Sequence, residues 1–530
     1  MSDRLKVVSL DADFNHIRAL SGDAVLPYLQ DESKLRGSAS LVLLPKNEGE
    51  VAAIMREASS KGISVTVSAH RTGVVGGAVP SEGWVMSLEG IDVPIGVGRD
   101  DLGFYIQSGP CLSLRKLEDL LSSERFDGLR DLTSSAVEEL KGSGRHILPV
   151  DPTETNASLG ANVACNSSGA KSYRYGPMRD WVRRIRVVLP DGRLLDLTRG
   201  EHRARAYSIV IEDGDSEKIL DIPSHRFNRD VKNSAGIYAE EGMDPIDLFI
   251  GSEGILGTIT LLELRLVPWR RTLSSMAFFP DDCSAIGFVR ALRSIDMPID
   301  LIEYIDSNGM RLVLRSRDEG SLFHGMPDPP IRSPSAVIFD LPYDERVDEF
   351  LNDLDGLLSS HGSSLSHTWC AHEERERGRF RSLRHAVPEA VFAYIANRKL
   401  SHPGIHKMGT DMSVPQDGMG EMLKHHLGVL KESGLEYVMF GHLGDGHPHI
   451  ELLIDDMHQF AVAEGVLTEL ASKVVELGGS TMAEHGTGRL KKEFLRLMYS
   501  ESDLEEMVRL KKALDPAWVL NPGVMLEAPE

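Results

Sequence analysis

Two short apolar runs, residues 436–440 (EYVMF) and 450–454 (IELLI), flank a glycine-rich turn that carries His442, His447 and His449. Runs of this kind separated by a glycine turn predict a β-hairpin. A hairpin restricts the chain sharply: His442 leaves one strand and His449 enters the next, so both stand at the same end. Farther on, Val466, Leu467, Leu470, Val474 and Leu477 recur at helical spacing, and Gly478-Gly479 stops them. Residues 480–483 then deliver Glu484 and His485. Taken singly, a histidine in such a turn is solvated or satisfies loop backbone. Taken together with Asp445 and Glu484, neutral imidazoles and carboxylates form a donor set for a divalent ion, zinc foremost, with manganese and iron also compatible. A catalytic site needs three protein ligands and an open position, and this cluster can supply them.

At 530 residues the chain is too long for one simple core, and two or three domains are expected. The balance of 58 basic against 80 acidic residues leaves a net charge of −22 with no basic stripe, which argues against nucleic acid as a partner. Cys111, Cys165, Cys283 and Cys370 are far apart and form no CxxC pair, which argues against a disulfide framework or a cysteine-ligated iron–sulfur cluster within the chain. The N-terminus lacks the apolar core of a signal peptide, and no apolar run approaches the ~20 residues of a membrane span. The expected location is the cytoplasm, with membrane contact only at its periphery and through a partner.

Residues 41–67 read as a βαβ unit. A strand at 41–44 leads to Asn47, a helix cap with Glu50 three residues on. Val51, Ile54, Met55 and Ala58 make the buried face, Gly62 the stop, and 63–67 the next strand. The loop that follows runs through His70, Arg71, Thr72, Gly73, Gly76 and Gly77, where positive φ and close backbone approach suit a pyrophosphate. It is neither a P-loop nor a GxGxxG. Residues 149–180 are rich in Gly, Asn, Ser and Ala, a composition that lets backbone lie flat against a planar ligand. Residues 248–260 read as a turn between two strands. From about residue 270 strands alternate with amphipathic helices, as in a separate α+β domain. Residues 370–384 form a charged helical run, and 514–523 an apolar segment that should dock back onto the body.

In this order these motifs resemble the FAD-linked oxidases of the vanillyl-alcohol oxidase and p-cresol methylhydroxylase superfamily, in the branch of D-lactate dehydrogenases, D-2-hydroxyglutarate dehydrogenases and the glycolate oxidase flavin subunit. The resemblance runs from about residue 38 to the C-terminus. It implies an α+β fold: an N-terminal segment (1–37), a bipartite FAD-binding domain (38–268), an α+β cap with the metal site (269–490) and a tail (491–530) returning to the flavin. It assigns the FAD pyrophosphate to the loop from His70 to Gly77. It assigns the flavin and adenine to Pro152, Ser158, Gly160, Asn162, Asn166, Gly169, Tyr175 and Gly176, closed by Glu253, Gly257 and Ile259, with Asn521 at the flavin's polar edge. His442, His449 and Glu484 match the metal positions, and His485 the base. Arg384 matches an arginine of the cap and would fork a substrate carboxylate. The implied reaction takes a 2-hydroxy acid, D-configured by resemblance, to the 2-oxo acid. The hydride goes to the flavin, the metal orients the substrate, and a histidine accepts the proton. A separate acceptor follows: an iron–sulfur subunit, electron-transfer flavoprotein, quinone or cytochrome.

The match departs at several positions. His70 and Arg71 stand where the pyrophosphate loop usually has glycines, and His70 is offset from the histidine through which some members attach FAD. His447 and Glu451 stand where asparagine is usual. Gly409 stands where a carboxylate-binding lysine is expected, and Lys407 is the nearest substitute. Two other readings stay open: a non-redox synthase of the alkyl-dihydroxyacetonephosphate type, and a non-catalytic flavin relay subunit. The first usually carries consecutive cap histidines, which His447-Pro448-His449 is not; the second has no need of His442, His449, Glu484 and His485.

Overall fold

The computed structural model describes residues 1–214, 216–319, 326–332 and 334–529. The predicted βαβ unit is present. Leu41–Leu44 and Val65–Ser68 both run parallel to Trp84–Ser87, which lies between them. The helix Glu48–Lys61 joins the first two. Asn47 caps it by accepting from the Glu50 amide, and Gly62 ends it in the left-handed region. Arg18–Leu20 adds antiparallel to complete a four-stranded sheet. The adjoining nine-stranded sheet takes its strands from residues 4–265 and includes Val182–Val188 and Thr258–Arg265. Its members also include the N-terminal strand Arg4–Ser9, which pairs with Arg193–Thr198.

Residues 272–453 supply a seven-stranded antiparallel sheet. Its centre is Ser335–Pro342, Ile302–Ile305 and the predicted hairpin, now Glu436–His442 paired with His447–Leu453. The strands are longer than the apolar runs suggest because Gly441 is a strand residue. A Cβ there would lie 2.7 Å from Cδ2 of His449, so glycine answers to ring packing rather than to a turn. The turn is confined to Leu443–Asp445 and Gly446. The turn expected at 248–260 has a strand on one side only. Pro245–Leu248 is a short 3-10 helix instead, because Asp244 accepts from the Ile246 amide and Pro245 suits the first helical position. No helix among the described residues is long and apolar enough to cross a membrane.

The C-terminal segment docks as its composition suggests. Val65 N donates to Val519 O (2.7 Å) and Asn521 N to Val65 O (2.8 Å), which adds the tail to the edge of Val65–Ser68. Beneath it, buried Lys511 donates to Ile255 O (2.7 Å), Leu520 O (2.8 Å) and Asp515 Oδ2 (2.5 Å). Lys511→Met is expected to cost about 3–5 kcal/mol, the usual penalty for stranding a buried charge, read as a fall in the urea midpoint. Arg509→Met, on the exposed side of the same helix, should cost under about 1 kcal/mol. Equal midpoints for the two variants would refute a clamping role for Lys511.

Candidate active site

The hairpin register gathers the histidines. Side chains alternate along a strand, so His447 and His449 share a face, and His442 stands directly opposite His447. The chain after the helix Met457–Glu476 returns through a bridge between Ser413 and Ser480 and brings Glu484 against that face. One ligand atom from each of His442, His447, His449 and Glu484 lies within 4.8 Å of the others. His442 Nε2 is 3.2 Å, His447 Nδ1 3.8 Å and His449 Nε2 4.0 Å from the Glu484 carboxylate.

The opposite ring nitrogens meet acceptors. His442 Nδ1 is 2.5 Å from Glu303 Oε1, and His449 Nδ1 is 3.2 Å from Thr410 O. His447 Nε2 lies 3.3 Å from Asp411 Oδ1. One nitrogen inward and the other against an oxygen is the arrangement that orients metal-binding imidazoles. Burial pushes His442 down, but Glu303 and Glu484 overcome it and raise it to about 9. Burial holds His447 and His449 below the ordinary histidine value, with neighbouring histidines adding to the effect on His449. Burial would push Glu484 up, yet His442 and Lys232 hold it well below the usual carboxylate range. These donors fit a divalent ion, which would take the place of the proton on His442.

Three groups complete the cluster, none of them singled out as a site residue by the sequence. Asp411 is its hub. It accepts from the backbone amides of Glu484 and His485 (both 3.1 Å) and from Lys491 Nζ (2.8 Å), and it lies 3.2 Å from His485 Nδ1. Lys232 Nζ is buried between Glu484 (2.7 Å), Asp445 (3.1 Å) and Gly169 O (2.9 Å). Glu303 is the third group that sequence reasoning missed. It sits on a strand of ordinary apolar texture, and only the sheet order puts it beside His442.

Arg384 is largely covered, its side chain 11% exposed. Its guanidinium lies 3.5 Å from Asp151 and 3.8 Å from Glu303, distances too long for a closed bidentate fork, and among the described residues its Nε has no hydrogen-bond partner. Lys407 pairs with Glu451 at 2.6 Å. Glu451 follows His449 by two residues, so it shares the histidine face, and its carboxylate lies over Gly409.

Beside this cluster, five segments converge. His70 Nδ1 is 2.7 Å from Asn156 O, and the Ser158 side chain caps Leu159–Ala164. Glu253 N donates to Ala164 O, while the Glu253 carboxylate accepts from the Thr487 and Gly488 amides (2.7 and 2.8 Å). Asn521 Oδ1 accepts from Val67 N, and its Nδ2 donates to Glu253 O. Asn162, Asn166 and Gly169 line the interior of the 149–180 stretch, with Pro152 against Gly169. Gly160 packs on Pro110 and Gly257 on Val187, while Gly176 stands at positive φ after Tyr175. Ile259 pairs with Val187 in the nine-stranded sheet. Among the described residues no protein acceptor takes up the backbone N–H groups of Thr72–Gly77. Arg71 and Gly76 within the loop take positive φ. A run of unclaimed amides in such a loop is an anion-binding concavity, and it fits a pyrophosphate. Ser168 Oγ donates to Glu484 at 3.0 Å, so the cradle and the histidine cluster share a wall.

Burial raises Glu253 to about 7, against the two amides. Its folded pKa exceeds its unfolded value of about 4.3. Its contribution to stability is therefore complete below that value and disappears as pH rises through about 7. Glu253→Gln should flatten the loss of stability between these pH values; an unchanged pH profile would refute the assignment.

Two family models match the chain: an FAD binding domain over residues 39–129 and 133–198, and the C-terminal domain of FAD linked oxidases over residues 270–525. The chain belongs to the FAD-linked oxidases and is a flavin-dependent oxidoreductase. It is 26% identical to D-2-hydroxyglutarate dehydrogenase of Xanthomonas citri pv. viticola, over 92% of this chain and 89% of that one. It is also 26% identical to D-lactate dehydrogenase of Anaerostipes hadrus, over 96% and 94%. The fold is similar to that of 4-ethylphenol oxidase from Gulosibacter chungangensis, with a TM-score of 0.64 at 16% identity over 97% and 94% of the two chains.

Proposed function

We propose that this protein oxidises a D-2-hydroxy acid to the 2-oxo acid with FAD and a divalent metal, and passes the electrons to a separate acceptor rather than to NAD. The observation that carries the proposal is the orientation of the imidazoles of His442, His447 and His449: one nitrogen toward Glu484, the other toward an oxygen, against the wall of the flavin cradle. The names of the two relatives support the substrate class. When bound, the flavin supplies a hydride acceptor and the metal ion a Lewis acid.

The protein's own residues then have distinct tasks. His442, His449 and Glu484 hold the ion. His485 takes the hydroxyl proton, with Nδ1 set against Asp411 so that the other nitrogen carries the lone pair. Arg384, largely covered and without a closed fork, binds the substrate carboxylate. Lys407 and Glu451 shape the distal end. A carboxylate on the histidine face disfavours a second substrate carboxylate there unless Lys407 offsets it.

The test is anaerobic bleaching of the bound flavin across a panel of D- and L-2-hydroxy acids, with and without chelator. Bleaching by a D-acid, lost on chelation, is expected. A bound flavin that no acid reduces would overturn the assignment.

A further inference from the structure

We infer that His447 is a fourth protein ligand to the metal, so that this chain grips its ion through three imidazoles and one carboxylate. The inference rests on the metal-assisted reading above and adds a residue to it.

His447 is 0% exposed; its Nε2 lies 3.3 Å from Asp411 Oδ1 without a well-aligned hydrogen bond, and its Nδ1 has no hydrogen-bond partner among the described residues. An unsatisfied buried polar atom is destabilising, so a protein rarely buries an imidazole this way without a partner for it. Asp411 does not supply one in line. Its Oδ1 lies 3.3 Å from Nε2 and already accepts from the Glu484 amide, while Oδ2 is engaged by the His485 amide, Lys491 and His485 Nδ1. Among the described residues Nδ1 has no other partner, and it faces Glu484 at 3.8 Å. The ring also packs against the two neighbouring imidazoles, with centroids 4.4 Å from His449 and 5.4 Å from His442.

Local backbone holds it there. Gly446 takes φ +70°, where a Cβ would lie 2.4 Å from Val414 O, and Pro448 restrains the strand between His447 and His449. Donor atoms around 2.0–2.2 Å from an ion stand roughly 3–3.5 Å apart, so Nδ1 needs to close on Glu484 by only a fraction of an ångström. An asparagine at this position could not supply the imidazole nitrogen. The bland alternative is a core histidine that merely fills space beside Asp411.

The experiment uses the full-length flavoprotein, stripped with chelator and reloaded with zinc and, separately, manganese. X-ray absorption of the loaded wild type counts imidazoles directly and needs no variant: three are expected. In competition with a chromophoric chelator, His447→Asn should bind zinc roughly 100-fold or more weakly, at or beyond the upper end of the loss caused by removing an outer partner, with flavin content unchanged. Two imidazoles in the wild type, with affinity unchanged in His447→Asn, would overturn the inference. If His442→Ala still abolished binding in that case, the metal-assisted reading would stand. A wild type that takes up neither ion would overturn both.

Discussion

Replacing His442 with alanine is expected to remove bound metal and substrate-driven flavin bleaching together, while FAD stays bound at wild-type stoichiometry. His442 has the closest approach of the three imidazoles to Glu484, and it alone ties that carboxylate to Glu303. Its loss takes from Glu303 its closest partner, leaving Arg384 at 3.8 Å and the field of Lys232, and deprives the ion of a nitrogen donor. A divalent ion held by His442, His449 and Glu484 would supply several kcal/mol of charge stabilisation to the reacting oxygen, and that is lost with the ion. A drop of more than about 10³-fold in the reduction rate is therefore expected. The flavin cradle does not depend on His442, because its contacts come from residues 70–78, 152–169, 253 and 519–521. Elemental analysis, visible absorbance and anaerobic reduction read the three quantities separately. An active variant without metal would sink the metal role.

What could be read in the sequence, and what could not, divides along physical lines. Local signals carried far. Asn47 and Gly62 bracket a helix because capping and positive φ are decided within a few residues. The glycine loop after residue 68 and the tail at 519–521 were likewise marked by composition and motif. The failures come from partners distant in sequence. Glu303 reaches His442 only because the strand Ile302–Ile305 lies beside Glu436–His442 in the sheet. Lys232 belongs to an irregular stretch with no periodicity, and Asp411 becomes a hub only once residues 480–485 fold back over it.

The departures from the family pattern also make sense together. Gly409, in place of a lysine, opposes Glu451 in the sheet, and any Cβ at Gly409 would meet the Glu451 carboxylate. The glutamate therefore fits because the glycine is there. Lys407, two residues back on the same edge, supplies the cation that Glu451 needs when buried. As a set they place a Lys407–Glu451 ion pair at the edge of the histidine face, made through Oε1, while Oε2 has no hydrogen-bond partner among the described residues.

His485→Ala should leave both FAD and metal in place and still slow flavin reduction by about 10²–10⁴-fold, the usual contribution of a positioned base. His485 stands apart from the ligand group. Its side chain is 39% exposed, its ring lies 6.0 Å from that of His449, and its Nδ1 contacts Asp411 rather than the cluster. That position gives it access to an incoming hydroxyl without a share in holding the ion. Asp411 is held well below the usual carboxylate range, because His485 and Lys491 overcome the cost of its burial. It therefore stays ionised and can stabilise an imidazolium as the proton arrives. Rapid-mixing reduction at matched metal content separates the possible roles. Slowed reduction with the metal intact identifies the base. Loss of metal would make His485 a ligand, and unchanged reduction would pass proton removal to another group, of which the Lys232 ammonium, buried among Glu484 and Asp445, is poorly suited because it already holds its proton against two carboxylates.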